Sequence, residues 1–179
     1  KTAMVWRAPM IISAFNQILN DTLWNDRDYL IVDMPPGTGD IQLSLSQSAK
    51  ITGALIVTTP QDVALLDARR AIEMFNKVEV PVVGIVENMS VHVCKNCGHE
   101  EEIFGCGGGE KIAAQYKTEV IGRLPLDIDV REQTDVGKPI VDSLPSGSAA
   151  QAYMLLSANL DEKVSQNLAK GSVEPIFSV

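Results

Sequence analysis

Two hydrophobic patterns alternate along the chain. Short apolar runs occupy 29–32, 54–57 and 82–86, with a fourth at 120–124 interrupted by Arg123, each bounded by Asp, Gly, Pro, Thr or Glu. Runs of that length and flanking predict strands buried on both faces of a parallel sheet. Between and around them, apolar residues recur at three- and four-residue spacing: Met10, Ile11, Phe15, Ile18 and Leu19, then Leu65, Ala68, Ile72 and Phe75, and finally Ala149, Tyr153, Leu156 and Leu160. That period predicts helices, the last running from Ser146 to about Lys163. A further helix is expected from Asp40 to about Lys50, carrying Ile41, Leu43 and Leu45, and a short strand at Met4-Val5-Trp6.

Boundary residues sharpen these elements. Pro9 suits a first helical position and Asp40 a helix cap. Thr59 and Asp62, with Pro60 between them, form a capping-box pattern ahead of the helix through Leu65. Arg69, Arg70, Glu73 and Lys77 fit its solvated side, and Trp24 is expected to pack at the end of the first helix. Strand, helix, strand alternation at this spacing predicts an α/β fold with right-handed crossovers. With 179 residues, the chain is expected to form one domain, followed by a frayed tail from Gly171.

Chemistry-bearing residues cluster at the predicted strand ends, where open α/β sheets place their ligands. Asp33 closes the run at 29–32 and opens a stiff loop, Met34-Pro35-Pro36-Gly37-Thr38-Gly39-Asp40. An acid there can hold magnesium, and an amide such as that of Gly37 can point at a terminal phosphate. An ordinary Pro-Gly turn is the plainer reading of a lone pattern of this kind. Asn88 follows the third run; its carboxamide offers a donor and an acceptor, which suits an adenine edge as well as a turn. Pro125 gives a flat apolar wall after the fourth run, and Asp127 either caps the next helix or touches base or ribose.

Three cysteines, two of them in Cys94-Lys95-Asn96-Cys97, point to metal or redox chemistry in a reducing compartment rather than to a disulfide framework. The pair can be half a zinc knuckle, a redox couple or two iron–sulfur ligands. The redox reading ranks lowest, because Gly98 and a polar loop follow instead of a helix. His99 and Cys106 are the in-chain candidates for further ligands; Cys106 lies in Phe104-Gly-Cys-Gly-Gly-Gly109, a flexible glycine segment, and reads more simply as a free thiol. His92 is expected to face solvent. A symmetric dimer meeting at this loop would supply four thiolates, the ligand set of a 4Fe–4S cluster or of a four-thiolate zinc site.

Net charge of −8 argues against a nucleic-acid surface, and no apolar run approaches the length of a membrane span. Neither class of partner is expected.

The run Asp33-Met-Pro-Pro-Gly-Thr-Gly-Asp40 resembles the Walker B/switch II segment of the MinD/Mrp class of P-loop ATPases, and within that class the Mrp/ApbC-type iron–sulfur cluster carriers. Asn88-Met-Ser90 followed by the cysteine pair, and Phe-Gly-x-Gly-Gly-Gly beyond it, are similar to that family as well. The resemblance implies a partial doubly wound, mostly parallel sheet flanked by helices, with residues 1–170 forming the carboxyl-terminal part of one NTPase domain. It also implies ATP, magnesium and a 4Fe–4S cluster as ligands, with Asp33 as the catalytic residue that organises the magnesium and senses the γ-phosphate. Gly37 would lie at the phosphate, Asn88, Pro125 and Asp127 at the base, Val130 beside it, and Cys94 and Cys97 at a cluster bridging a homodimer. Apo iron–sulfur proteins would receive the cluster, in the cytoplasm or, second, an organelle matrix such as the mitochondrial one. The class's phosphate loop, Lys-Gly-Gly-x-Gly-Lys-Ser/Thr, and its switch I aspartate have no counterpart in the 179 residues. The polypeptide alone is therefore expected neither to bind ATP tightly nor to hydrolyse it. Two rival expectations are a MinD-like positioning ATPase with a structural zinc clip and a non-catalytic dimerisation module.

Overall fold

The computed structural model describes residues 8–169 except 36 and 38. The expected strand at 4–6 and the tail from Gly171 lie outside the described residues.

Helix α1 (Ala8–Asp21) and helix α2 (Asp40–Ser48) pack on each other. Strand β1 (Ala54–Thr58), helix α3 (Asp62–Lys77) and strand β2 (Val82–Glu87) then form a parallel unit. A two-stranded antiparallel hairpin, β3 (His92–Val93) and β4 (Glu100–Glu101), follows. Helix α4 (Gly108–Tyr116) leads to strand β5 (Val120–Arg123). Helices α5 (Ile128–Asp135), α6 (Ile140–Ser143) and α7 (Ser148–Ala169) complete the described chain.

The sheet runs β1-β2-β5, every neighbour parallel. Its central strand is the most buried, and Ile85 on it is fully buried. One face packs Ile56 and Ile85 against Leu65, Ile72 and Phe75 of α3 and Ile112 of α4. The opposite face packs Val86, Ile121 and Leu124 against Tyr153, Leu156 and Leu160 of α7. Helices on both faces of a parallel sheet are the expected α/β layering, and the stripes read from the sequence for α3 and α7 are the ones that make these contacts. Gly84 and Gly122 let the layers close: a Cβ at Gly84 would stand 2.6 Å from Ile121, and one at Gly122 2.7 Å from Leu156.

Four expectations need correction. The run at 29–32 is not a strand: it is irregular and exposed, with Ile31 83% accessible. An apolar run becomes a strand only when neighbours take up its backbone hydrogen bonds, and none of the described strands pairs with it. Tyr29 instead bonds the Asp161 carboxylate of α7 through its hydroxyl. Asp40 is the first helical residue of α2 and Gly39 holds the cap position. The Thr59/Asp62 box is not formed either. Gln61 is the cap residue of α3, and the Thr59 hydroxyl lies 3.0 Å from Gln61 Oε1. Finally, the glycine segment is no flexible tether. Gly108 and Gly109 are buried in the first turn of α4, where a Cβ on Gly108 would sit 2.7 Å from Leu65 and 3.0 Å from the Pro60 carbonyl.

Candidate functional site

Two parallel strands deliver the site. Where β2 and β5 end, their chains keep running side by side. The Leu124 amide donates to the Glu87 carbonyl at 3.0 Å, that of Ser90 to Leu124 at 3.0 Å, and that of Leu126 to Val91 at 2.8 Å. His92 Nδ1 lies 3.0 Å from the Leu126 carbonyl, so this ring, expected to face solvent, stitches the two segments together.

Between the segments lies a cleft of about 210 Å³ whose lining includes Asn88, Met89, Pro125, Asp127, Val130 and Tyr153. The three base-contacting residues expected from the sequence, and Val130 beside them, thus share one cleft. Asn88 Oδ1 accepts from the Met89 amide at 2.9 Å, which holds Met89 at a positive φ of 55°. Among the described residues nothing accepts from Asn88 Nδ2, leaving a donor for a ligand. Asp127 caps α5: its Oδ1 accepts the Asp129 amide at 2.8 Å. Its other oxygen has no hydrogen-bond partner among the described residues. One donor and one acceptor on an apolar cleft with a tyrosine wall can read a base edge. Burial by the apolar wall pushes the Tyr153 hydroxyl up from its ordinary pKa.

The cysteine pair caps the β3–β4 hairpin, an element not foreseen in the sequence. The Gly98 amide donates to the Cys94 carbonyl at 2.8 Å and the Cys94 amide to the His99 carbonyl at 2.9 Å, with Gly98 at a φ of 71°. This turn aims the backbone amides of Cys97 and Asn96 at the Cys94 sulfur. They hold its thiol below the usual range, with a smaller contribution from the Cys97 thiol. A thiol whose anion is favoured by nearby peptide N–H groups gives up its proton to a soft metal more readily. Cys94 is half-buried and Cys97 exposed. Among the described residues no three of His, Cys, Asp and Glu are grouped to hold a metal ion, so neither His99 nor Cys106 completes a set with the pair. Cys106 is exposed, and its thiol is pushed up by a hydrogen bond to Glu102 and by that carboxylate's charge.

Asp33 and Gly37 are not brought to this cleft. Asp33 stands exposed in the irregular segment, and Gly37 takes a positive φ of 102°. The sequence reading also missed Glu87, a carboxylate only 2% accessible. It accepts the Gly109 amide at 2.6 Å and has Arg123 Nε at 3.8 Å, while Arg123 also pairs with Glu110. The signal was present: an acid directly continues the apolar run 82–86. Glu87 anchors the positive end of α4 to the strand end, and so fixes where the chain re-enters the sheet beyond the cysteine hairpin.

A parallel sheet covered on both faces, with a cleft at its carboxyl edge, is the layering of the α/β proteins that bind ligands at their strand ends. The chain belongs to the NUBPL iron-transfer P-loop NTPases of the ParA group, whose family profile matches residues 1–161. It is similar to the iron–sulfur cluster carrier protein of Haemophilus influenzae, 55% identical over 175 residues that make up 97% of this chain and 46% of the relative. The chain thus spans about half the length of the curated relatives it matches. Among solved structures it resembles the nucleotide-binding protein of Archaeoglobus fulgidus in complex with ADP, with cobalt. That likeness has a TM-score of 0.66 and 40% identity, over 72% of this chain and 53% of the other. The septum site-determining protein MinD of Pyrococcus horikoshii, complexed with Mg-ADP, shares the fold at a TM-score of 0.66 and 19% identity, over 92% of this chain and 63% of that one.

Proposed function

We propose that the chain is the base-holding and cluster-holding portion of an ATP-dependent iron–sulfur cluster carrier that works as a homodimer and passes a 4Fe–4S cluster to apo-proteins. The observation that carries this reading is the cysteine turn. It presents two thiols, one of them faced by two amides, with no third ligand grouped beside them among the described residues. A second copy of the turn across a two-fold axis supplies the missing pair. A cluster shared in that way stays near solvent, which suits cargo that must be handed on. The names of the relatives, carrier and iron-transfer proteins, support the same cargo.

On the nucleotide side, Asn88 Nδ2 offers a donor and Asp127 an acceptor. That pattern matches the N7 acceptor and N6 donor of adenine and mismatches guanine, which shows two acceptors there. Pro125 and Val130 flank the ring. Asp33 is exposed and makes no ion pair with a described residue, so its carboxylate fits a hydrated magnesium ion, which would neutralise phosphate charge. Gly37 would present its amide to the terminal phosphate. The 179 residues hold no phosphate loop, so this polypeptide alone neither binds ATP tightly nor turns it over; magnesium-dependent hydrolysis by the purified chain would overturn that statement. No described helix is long and apolar enough to cross a membrane. A reducing compartment, the bacterial cytoplasm first and a mitochondrial matrix second, suits unpaired thiols.

Anaerobic reconstitution tests the proposal. The parent chain should take up iron and sulfide, develop the broad visible absorbance of a 4Fe–4S cluster and sediment as a dimer. Cys94→Ala/Cys97→Ala should take up neither. Equal loading of the double variant would remove the cysteine pair as cluster ligands, whereas zinc with no visible absorbance in protein purified without oxygen would replace the carrier by a structural zinc clip.

A further inference from the structure

The stem of the cysteine hairpin is welded to the cleft wall by backbone bonds and by His92, but those bonds stop at residue 92. Beyond them the turn projects outward. Among the described residues, and apart from the β3–β4 ladder that closes the hairpin on itself, the polar contacts that join residues 94–101 to the rest of the chain are those of one side chain, Lys95. Its ammonium lies 2.5 Å from Asp129 Oδ2 and 3.5 Å from Asp127 Oδ1. Lys95 sits between the two cysteines, and both carboxylates belong to the capped start of α5, which walls the cleft. Asp127 therefore answers to three groups at once: the Asp129 amide, the Lys95 ammonium and whatever occupies the cleft.

We propose that Lys95 is a positioning residue, a latch between cleft and cysteine turn: a nucleoside bound against Asp127 draws on the carboxylate that Lys95 grips, and the turn bearing Cys94 and Cys97 shifts in response. This rests on the base-site reading above and adds the route by which occupancy of that site reaches the thiols. The ion pair is at the surface, with Lys95 about half exposed, so it contributes little to stability. What it supplies is geometry, since it ties an otherwise free tip to the one helix start that a ligand touches. Coupling of this kind is reciprocal, so a metal that moves the turn alters the hold on the nucleoside by the same factor.

Backbone amide NMR of the 179-residue chain, titrated with adenosine, separates the possibilities. In the parent, adenosine should shift the amides of Met89 and Asp129 at the cleft and, together with them, those of Asn96 and Cys97 at the tip. In Lys95→Met and in Asp129→Asn, which keeps the amide that Asp127 caps, the cleft shifts should persist while the tip shifts fall below about a third of the parent's. Lys95→Arg, which restores a cation, should recover them. A parent whose cleft amides do not respond would overturn the base site itself, and the latch with it. Responding cleft amides with a silent tip in the parent, or an undiminished tip shift in Lys95→Met, would overturn the latch and leave the base site standing.

Discussion

The chain carries two motif-bearing segments, 29–40 and 88–99, and they fold to very different degrees. Each begins as an apolar run leading into polar, turn-forming residues. The run that ends at Glu87 lies between two parallel neighbours, and its side chains are sealed by helices on both faces. The chain after it, as far as residue 92, inherits that rigidity through a ladder of backbone bonds to the segment beside it, and the cysteine turn beyond is shaped by its own bonds. The run that ends at Asp33 is likewise apolar but has no described strand beside it, and its apolar side chains remain in water. Apolar sequence supplies the drive to be buried; hydrogen-bonding neighbours decide whether a strand results. A preorganised site requires both, which is why the cleft and the cysteine turn are shaped while the Asp33 loop is not.

Truncation of the two runs tests the contrast most severely. Ile85→Ala empties a fully buried position at the centre of the sheet and should cost about 2–5 kcal/mol in denaturant unfolding. Ile31→Ala, at 83% exposure, should change stability by less than about 0.5 kcal/mol. Comparable losses at the two positions would mean that the first run is buried in solution. The glycines repeat the comparison at smaller scale. Gly108→Ala drives a Cβ to within 2.7 Å of Leu65 and 3.0 Å of a carbonyl that cannot yield, and overpacking of this kind should cost about 1–3 kcal/mol. Gly39→Ala meets Gln42 at 3.5 Å among the described residues, with an ordinary φ of −86°, so it loses just the cap preference for glycine over alanine and should cost less than about 1 kcal/mol.

The same distinction governs what could be read from the sequence. The stripes Leu65-Ala68-Ile72-Phe75 and Tyr153-Leu156-Leu160, and the three paired strands, were legible because period and burial coincide there. Asn88, Pro125 and Asp127 were legible as a set because strand ends in open α/β sheets converge. The strand at 29–32 was misjudged because periodicity reports the tendency of a run to be buried and carries no information about its partners. The Gly107–Gly109 stretch was misjudged for a related reason. Gly107, at a φ of 68°, does use backbone freedom, whereas Gly108 and Gly109 are needed for close approach, a demand made by Leu65, Pro60 and Glu87 from distant parts of the chain. Lys95 was passed over because its two carboxylates lie more than 30 residues further on, too far apart in sequence for any local pattern to register.

Two substitutions at one residue refine the cleft side of the comparison. Asp127→Ala removes a helix cap and, with it, the acceptor proposed to face the base. It should lower stability by about 1 kcal/mol and abolish the adenosine response. Asp127→Asn keeps a carbonyl oxygen for the Asp129 amide, so stability should hold while the grip of Lys95 weakens. If Asn proved as destabilising as Ala, the charge at residue 127 would matter to the fold itself rather than to the site.

The smallest effect separates two cysteines within the better-built region. Both Cys94 and Cys106 are reduced, but their surroundings push in opposite directions. Amides of Cys97 and Asn96 favour the Cys94 thiolate, whereas Glu102, by hydrogen bond and by charge, favours the Cys106 thiol. Thiolate is the reacting form, so a lowered pKa means reaction at lower pH. In metal-free protein, alkylation followed site by site by mass spectrometry should therefore rise at Cys94 before it rises at Cys106 as pH is raised. Cys106 should lag behind a free cysteine peptide, and Glu102→Gln should remove most of that lag without altering Cys94. Identical pH profiles at the two sites would mean that the turn's amides do not face the Cys94 sulfur in solution. The cysteine turn would then be no better organised for metal than a single exposed thiol, and the contrast between a shaped segment and an unshaped one would end at residue 92 rather than including the cysteines.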